Sequence, residues 1–344
     1  MRGAALLLSF FAFAAAAQGP PALSIGAARD DDGRFLNRVG ALEQAGLSVT
    51  LPFFLRRVGS NLVGRDGAPE LVANNGAFLR ENAGHSIPTV TWIGHATVLV
   101  QMDHVTFLTD PIWSERASPL PIGPRRFVPP GVALEDLPHV DFVVISHNHY
   151  DHLDLDTLRA LAERSPDTVF YVPLANGELL RDEGVTNVVE LDWGGQATHL
   201  GVTIHCVESQ HWSRRGLFDG RKALWASWAV IGRERKLYFA GDTGWSDGFA
   251  AIGTALGPFD LAALPIGAYE PTAMMRPSHL DPEEAVRAGL ALGAKRLLGI
   301  HFGTFNLTDE PLDEPPRRFR AAAGEAGYRA ADAFVLRIGE TQPF

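Results

Sequence analysis

Short apolar runs alternate with polar segments along most of this chain, and their spacing predicts alternating strands and helices. From residue 89 on, runs rich in β-branched and aromatic residues predict strands over 89–93, 96–100, 105–109, 141–146, 168–172, 186–191, 198–207, 223–231, 236–240, 260–266, 296–300 and 333–338. Helical spacing predicts helices that begin at Asp154 or Asp156 and that cover 174–183, 247–256, 282–292 and 315–326. Two blocks of strands with helices between them predict two sheets packed face to face with helices outside, an α/β sandwich.

The N-terminal residues follow a different pattern. Arg2 precedes an apolar run, and Ala15 and Ala17 have the small-x-small spacing of a cleavage site. We therefore predict a signal peptide over 1–17 and a periplasmic or secreted mature protein, with an uncleaved membrane anchor as the alternative. Residues 18–85 are predicted to be an N-terminal extension that packs on a main domain at 86–344. Within it, 47–58 is apolar and then basic, so it would close the core or touch a membrane surface.

The composition excludes several classes of protein. Of the 344 residues, 46% are hydrophobic and 20% are charged, which argues against disorder. The net charge of −10 makes the chain a poor general binder of nucleic acid, so we expect no nucleic-acid partner. Cys206 is the only cysteine, which excludes an internal disulfide bond and a cysteine-rich zinc site. It alternates with apolar neighbours in a predicted strand and is expected to be buried.

The most informative motif is His-Asn-His-Tyr-Asp-His at 147–152, which places four metal-capable side chains within six residues. It follows the predicted strand 141–146. In a continued strand His147 and His149 would point to opposite faces, so the chain has to turn for both to reach one metal ion. Imidazoles together with carboxylates suit zinc or a neighbouring first-row metal. The alternative is a surface histidine tract that binds metal adventitiously.

Further metal-capable residues follow other predicted strands. His211, Asp242 and His301 each come just after an apolar strand, where ligands gather in open α/β folds. Gly241 and Gly244 flank Asp242 and would let the backbone approach closely. The pattern therefore predicts a metal centre at one end of the sheets, with a mononuclear site as the alternative to a dinuclear one.

The order of these motifs resembles the metallo-β-lactamase superfamily and, in more detail, the N-acyl-phosphatidylethanolamine-hydrolysing phospholipases D. The resemblance runs from about residue 88 to about residue 339. Besides the histidine motif, it rests on Trp-Ile-Gly-His-Ala-Thr at 92–97, Leu-Thr-Asp-Pro at 108–111, Ser-Gln-His-Trp at 209–212, Phe-Ala-Gly-Asp-Thr-Gly at 239–244, Pro-Ile-Gly-Ala-Tyr-Glu-Pro at 265–271, His-Leu-Asp-Pro-Glu-Glu at 279–284 and His-Phe-Gly-Thr-Phe at 301–305. It implies a four-layer αββα sandwich and a hydrolase domain at 86–344. The N-terminal part matches poorly, and the leader is a departure from the best-known members, which act inside cells.

The resemblance implies two zinc ions as cofactors. Their ligands would be His147, His149, Asp151, His152, His211, Asp242 and His301. The histidines at 147, 149 and 211 would bind one ion, residues 151, 152 and 301 the other, and Asp242 would bridge both. Asp151 would also orient a metal-bridging hydroxide, and His279 would contact a phosphoryl oxygen, assist the leaving group or orient its loop. Tyr150 and Tyr269 would contact the substrate.

The reaction implied by the resemblance is hydrolysis of a phospholipid similar to N-acyl-phosphatidylethanolamine. The hydroxide would attack phosphorus and release phosphatidate and the head-group alcohol. The partners that follow are the phospholipid, a membrane surface and a second copy of the chain in a homodimer. An apolar groove for the acyl chains would be needed near the metals. Its candidates, which suit packing or exposed surface equally well, are Phe53, Phe54, Leu55, Trp113 and Leu120, with Arg125 and Arg126 near lipid phosphates.

Other functions stay open from the sequence alone. The same fold could act on a lactone, a lactam or a different phosphodiester, because fold alone does not determine chemistry. A nuclease is disfavoured by the acidic charge and the leader. A lipid-binding or metal-storage protein is disfavoured by the complete ligand set, since storage needs no open coordination position.

The remaining histidines are expected to have structural roles. His95 lies in a turn between strands and resembles a family residue near the site. It is expected to be a structural residue with buried hydrogen bonds, with a catalytic role as the alternative. The others lack partners in sequence and are expected at the surface or in satisfied structural positions, namely His85, His104, His139, His199 and His205.

Overall fold

The computed structural model describes residues 22–42, 45–60, 67–85, 87–121 and 123–344. Its helices are α1 (Leu47–Ser60), α2 (Ala77–His85), α3 (Leu155–Arg164), α4 (Gly177–Asp182), α5 (Gly248–Leu256), α6 (Thr272–Met275), α7 (Pro282–Ala291) and α8 (Glu314–Glu325). Its strands are β1 (Thr89–Gly94), β2 (Thr97–Met102), β3 (Val105–Thr109), β4 (Phe142–Val144), β5 (Val169–Pro173), β6 (Val188–Leu191), β7 (Gln196–His199), β8 (Val202–Val207), β9 (Ser227–Ile231), β10 (Lys236–Phe239), β11 (Leu261–Pro265), β12 (Leu297–Ile300), β13 (Ala333–Phe334) and β14 (Thr341–Pro343). The predicted signal peptide lies within residues 1–21, outside the described residues, and stays a prediction.

The strands form two seven-stranded sheets with the orders β14-β1-β2-β3-β4-β5-β6 and β13-β12-β11-β10-β9-β8-β7. In the first sheet, β3 to β6 are parallel and the other pairs are antiparallel. In the second sheet, β10 to β13 are parallel and the other pairs are antiparallel. Each sheet is therefore antiparallel in one half and parallel in the other. The parallel strands bring their carboxyl ends to one edge of the sheet.

The two faces of the first sheet pack into different layers, as the alternation of side chains along a strand requires. On one face, Leu99 packs in a cluster with Leu158 of α3. On the other face, Val98 and Phe142 share a buried cluster with Trp228 of the second sheet. Helix α7 covers the second sheet at β11 and packs on α8. These layers confirm the predicted α/β sandwich of the αββα type.

Most predicted elements are present, and the departures have local causes. The predicted strand 198–207 is two antiparallel strands, β7 and β8, because Leu200 and Gly201 turn with φ of 45° and 87°. Helix α4 begins later than predicted because Ala175 has a φ of 64°. The strand predicted over 223–231 begins only at β9, and the one over 333–338 is reduced to β13. Asp281 caps α7 as predicted and accepts a hydrogen bond from Glu284 N at 2.8 Å.

The described part of the N-terminal extension contacts the body at several points. Phe35 is fully buried in the main core. Segment 47–58 lies in α1, which forms despite Pro52 and which the apolar pattern did not predict. Phe53 of α1 is buried. None of the described helices combines the length and hydrophobicity that crossing a bilayer requires.

Candidate metal centre

Both sheets deliver the predicted ligands to the same end of the sandwich. The 147–152 motif follows β4 of the first sheet, while His211, Asp242 and His301 follow β8, β10 and β12 of the second. The sheets are joined at this end by a hydrogen bond from His301 N to His95 O at 3.0 Å. Ligands that are distant in sequence therefore meet where the strands end.

Two glycines beside Asp242 permit this close approach. Gly241 has a φ of 59°, and a Cβ on it would lie 2.3 Å from the Cβ of Ser146. A Cβ on Gly244 would lie 2.5 Å from the carbonyl oxygen of Pro277. Both separations are shorter than real Cβ contacts, so the expectation that these glycines allow close backbone approach is confirmed.

The imidazoles of His147, His149 and His211 converge on one point. His149 Nδ1 lies 2.8 Å from His147 Nε2 and 3.3 Å from His211 Nε2. Two imidazole nitrogens on one tetrahedral zinc ion would lie about 3.3 Å apart. Burial lowers the pKa of His149 to about 4 and the pKa values of His147 and His211 well below their usual range. All three imidazoles are therefore neutral at pH 7 and have a lone pair to offer a metal.

A second group consists of Asp151, His152 and His301. His152 Nε2 lies 3.2 Å from His301 Nε2, and Asp151 Oδ2 lies 3.3 Å and 3.6 Å from these two nitrogens. Burial alone would lower the pKa of both histidines. The carboxylates of Asp242 and Asp151 instead raise the pKa of His301 to about 9 and that of His152 well above its usual value. The carboxylates here thus attract cations strongly, which is also what a metal site requires.

Asp242 lies between the two groups. Its Oδ2 is 3.2 Å from His152 Nε2 and 3.8 Å from His211 Nε2, and its Oδ1 is 3.1 Å from His301 Nε2. Burial would raise the pKa of Asp242, but His152 and His301 hold it well below its usual range. Among the described residues, Oδ1 has no hydrogen-bond partner although it is buried. A buried carboxylate needs positive charge beside it, and an oxygen that takes part in no hydrogen bond is open to a metal ion, so this donor set fits bound metal.

A family model described as a beta-lactamase superfamily domain matches residues 105–302, more than half of the chain. The chain belongs to this beta-lactamase superfamily. The N-acyl-phosphatidylethanolamine-hydrolyzing phospholipase D 1 of Caenorhabditis elegans is 46% identical over 237 residues, which cover 65% of this chain and 67% of that protein. The mitochondrial N-acyl-phosphatidylethanolamine-hydrolyzing phospholipase D of Saccharomyces cerevisiae is 31% identical over 278 residues, 77% of this chain and 58% of that protein.

A solved structure has the same fold. Igni18, a metallo hydrolase from Ignicoccus hospitalis, superimposes with a TM-score of 0.57 at 25% identity, over 75% of this chain and 98% of that one. This superfamily member is a metal-dependent hydrolase, as its clusters of metal-capable side chains and its similarity to these relatives and to this structure indicate. The match spans only between 58% and 67% of the length of the two curated relatives.

Asp110 is a site residue of this superfamily member to which the sequence analysis gave no role. It is fully buried with a φ of 35°, directly after β3. Its Oδ2 accepts hydrogen bonds from His152 Nδ1 and Ser146 Oγ, each at 2.6 Å, and its Oδ1 accepts one from Ser146 N at 2.6 Å. The carboxylate therefore directs His152 Nε2 toward the centre. Its place after a strand was the available signal, the same one that identified His211 and Asp242.

His95 is buried and hydrogen-bonded, as the sequence predicted. Its Nε2 lies 2.9 Å from Asp151 Oδ2, and its backbone N donates to Thr304 Oγ1 at 2.7 Å. Burial, assisted by the nearby positive charge of His301, lowers the pKa of His95 to about 3. A neutral His95 is therefore expected to hold Asp151 in place by donating through Nε2.

The solvent-facing side of the centre is formed by half-buried residues, which are His149, Tyr150, Asp151, Trp212 and His279. His279 Nε2 lies 3.3 Å from Asp242 Oδ2, so this predicted catalytic residue reaches the centre. The Tyr150 hydroxyl donates to Arg215 O at 2.9 Å, and the Arg215 guanidinium lies 4.0 Å from the Tyr150 ring centroid. Arg215 also donates to the carbonyls of Asn148 and Leu153, so it clamps the histidine motif from outside.

The other predicted substrate contacts have partners within the protein. Tyr269 is buried and donates its hydroxyl to Glu314 of α8 at 2.9 Å. Arg126 donates to the carbonyls of Ile112 and Ser114, so its guanidinium braces a loop instead of facing a lipid phosphate. Arg125 is exposed and pairs with Glu115.

The predicted groove candidates differ in how exposed they are. Phe53 is buried, Trp113 is half-buried and donates to Val132 O, and Leu55 and Leu120 are exposed. The side chain of Phe54 lies outside the described residues. An acyl-chain groove at these residues and substrate contacts by Tyr150 and Tyr269 stay predictions.

The remaining histidines and the cysteine lie where the sequence predicted. His85, His104 and His139 are exposed, while His199 and His205 are half-buried. His199 packs its ring against those of Phe142 and Tyr171, which is a structural role. Cys206 is fully buried.

Proposed function

We propose that this protein is a dinuclear zinc phosphodiesterase of the phospholipase D type. Its substrate would be a phospholipid similar to N-acyl-phosphatidylethanolamine. Water would add to phosphorus while the bond to the head-group oxygen breaks, giving phosphatidate and the head-group alcohol. One ion would be held by His147, His149 and His211, the other by residues 151, 152 and 301, and Asp242 would be shared.

The observation that carries the proposal is the position of Asp242. One of its carboxylate oxygens faces His211 and His152, and the other faces His301. A shared carboxylate between two ligand groups suits a pair of metals about 3.5–4 Å apart, which favours phosphodiester displacement because both the attacking and the leaving oxygen can be stabilised. The choice of a phospholipid rests on relatives named as N-acyl-phosphatidylethanolamine-hydrolysing enzymes.

The chain's own residues would divide the work of catalysis. Bound zinc would supply positive charge and a water of lowered pKa. Asp151, held by His95, would accept a hydrogen bond from that water and orient it toward phosphorus. His279 lies beside Asp242 with 13% of its side chain exposed, and Met275 O and Ser278 Oγ lie within reach of its Nδ1. From there its Nε2 would hydrogen-bond a phosphoryl oxygen or assist the departing alcohol.

A membrane surface is the proposed location of the substrate. Leu47, Leu51 and Leu55 of α1 are exposed by 82%, 57% and 66% and repeat every fourth residue, so they form one apolar face. Such a face fits the apolar layer of a phospholipid bilayer. A homodimer and a periplasmic or secreted location are also proposed, the first from the resemblance and the second from the predicted leader.

The decisive experiment measures turnover by the purified, zinc-loaded full chain. N-acyl-phosphatidylethanolamine in mixed micelles would be compared with a lactone, a β-lactam and bis-p-nitrophenyl phosphate, with products identified by mass spectrometry. We expect phosphatidate and N-acylethanolamine from the lipid, and a loss of more than about a hundredfold in His147→Ala because a ligand to the catalytic charge is removed.

The matched control is His139→Ala, which removes an exposed histidine on the same chain and should retain wild-type turnover. Hydrolysis of the lactone or lactam without turnover of the lipid would assign a different reaction to the fold. Equal turnover by His147→Ala and wild type would refute the metal centre as the catalytic site.

A further inference from the structure

A residue of the N-terminal extension reaches the candidate metal centre. Asn37 lies well before the superfamily match at 105–302, and its side chain is buried. Its Nδ2 donates to His211 O at 2.9 Å, and His211 N donates to its Oδ1 at 3.0 Å. Trp225 Nε1 donates to the same Oδ1 at 3.0 Å. One amide therefore satisfies both backbone groups of a predicted ligand, as a neighbouring strand would.

This contact matters because His211 lies beyond the end of β8. Its ring is held from the other side, where Nδ1 donates to Ser278 O at 2.9 Å. Nε2 is thereby directed into the centre, 3.8 Å from Asp242 Oδ2. Asn37 supports the backbone and Ser278 supports the ring, so the pair determines where the Nε2 lone pair points.

The segment around Asn37 is itself anchored next to His211. Arg38 pairs with Glu208 at 3.0 Å, and the Glu208 side chain is only 3% exposed. Phe35 is fully buried, and its backbone N donates to Arg221 O at 2.8 Å. Residues on both sides of Asn37 therefore contact the stretch from Glu208 to Trp225, Arg38 at Glu208 and Phe35 at Arg221.

We propose that Asn37 is a positioning residue for His211, so that the side-chain amide of one residue in the N-terminal extension completes the metal centre. The inference rests on the proposed function because it takes His211 as a metal ligand. It extends that function to a part of the chain outside the superfamily match. Asn37 touches neither metal nor substrate in this proposal and acts only through His211.

The test compares Asn37→Ala with Phe35→Leu in the full chain. Both substitutions alter a buried residue of the same segment, but only the first removes a contact to a ligand. Metal affinity is measured by chelator competition with Zn²⁺ and Co²⁺, and the visible spectrum of the Co²⁺ protein reports ligand geometry. We expect Asn37→Ala to weaken one of the two ions by about tenfold or more and to change the Co²⁺ spectrum. Phe35→Leu should lower thermal stability while keeping wild-type affinity and spectrum.

The outcomes separate this inference from the proposed function. If the wild-type chain binds neither Zn²⁺ nor Co²⁺, both the proposed function and the role of Asn37 are refuted. If the wild type binds two ions and a folded Asn37→Ala has unchanged affinity and spectrum, only the positioning role of Asn37 is refuted. An equal affinity loss in Phe35→Leu would also refute that role, because it would indicate general destabilisation. If Asn37→Ala does not fold, Asn37→Asp takes its place, since it keeps the shape and the bonds accepted by Oδ1 but loses the donation to His211 O.

Discussion

At the scale of single residues, the centre depends on side chains that never face the substrate. Asp110 is the clearest, because one buried carboxylate accepts hydrogen bonds from His152 and from two groups of Ser146. Ser146 Oγ also lies 2.9 Å from His147 Nδ1. Asp110 and Ser146 together therefore orient two predicted ligands, one on each side of Asp242.

We predict that Asp110→Asn weakens metal retention by about ten- to a hundredfold, because the amide keeps the shape but loses the charge that orients His152. The measurement is metal content per chain after dialysis against graded chelator. Asp156→Asn is the control, since Asp156 is an exposed acid in the first turn of α3. Unchanged retention in a folded Asp110→Asn would show that His152 needs no such support.

At the scale of elements, α1 combines two faces with different partners. Phe53 is buried, and Arg56 pairs with Asp309 at 2.6 Å, which attaches the helix to the body. The opposite face exposes leucines at 47, 51 and 55. The sequence alone allows packing or membrane contact for this segment, and the helix geometry allows both at once.

For α1 we predict that the double substitution Leu51→Ser and Leu55→Ser lowers binding to phosphatidylethanolamine–phosphatidylglycerol vesicles by about tenfold. Partial insertion of two leucines is worth about 1.4 kcal/mol, which corresponds to that factor. Co-sedimentation gives the bound fraction, and turnover in detergent micelles should be unchanged. Leu200→Ser with Leu290→Ser removes two exposed leucines elsewhere and should have no effect. Equal vesicle binding by both double variants would argue against α1 as the membrane contact.

At the scale of the whole molecule, the centre joins the two sheets. One group of predicted ligands combines His147 and His149 of the first sheet with His211 of the second, and the other combines Asp151 and His152 with residue 301. A bound cation would therefore crosslink the sandwich at one end. Without it, the Asp242 carboxylate and the imidazoles of His152 and His301 remain buried beside one another with no metal ion to bind them.

Removal of metal should accordingly destabilise the whole fold. We expect chelated protein to unfold roughly 5–10 °C below the zinc-loaded protein, because ligand binding to the native state alone adds about 4 kcal/mol at a thousandfold excess over the dissociation constant. Circular dichroism during heating measures the shift, and added Zn²⁺ should reverse it. In His147→Ala the shift should shrink. Identical unfolding temperatures with and without chelator would contradict a crosslinking metal.

Sequence reasoning worked best where the signal is local. His211, Asp242 and His301 can be identified from the sequence as predicted ligands. The signals are the alternation of residues in strands and the rule that ligands follow strands. Sequence reasoning was least reliable for element lengths, as in α4 and β13, where single turns such as that at Ala175 end an element. For Arg126 the sequence left packing and lipid contact open, and only the structure shows that its side chain donates to the carbonyls of Ile112 and Ser114.

The sequence by itself determined the sandwich and the set of residues able to bind metal. Both depend on local features, namely the spacing of apolar residues along the chain and the chemistry of single side chains. Only the tertiary structure decided which buried residues hold those side chains in place. Asp110 meets Ser146 across 36 positions and Asn37 meets His211 across 174. Such contacts depend on which distant segments lie side by side in the folded protein, and the local sequence pattern around each residue does not reveal this.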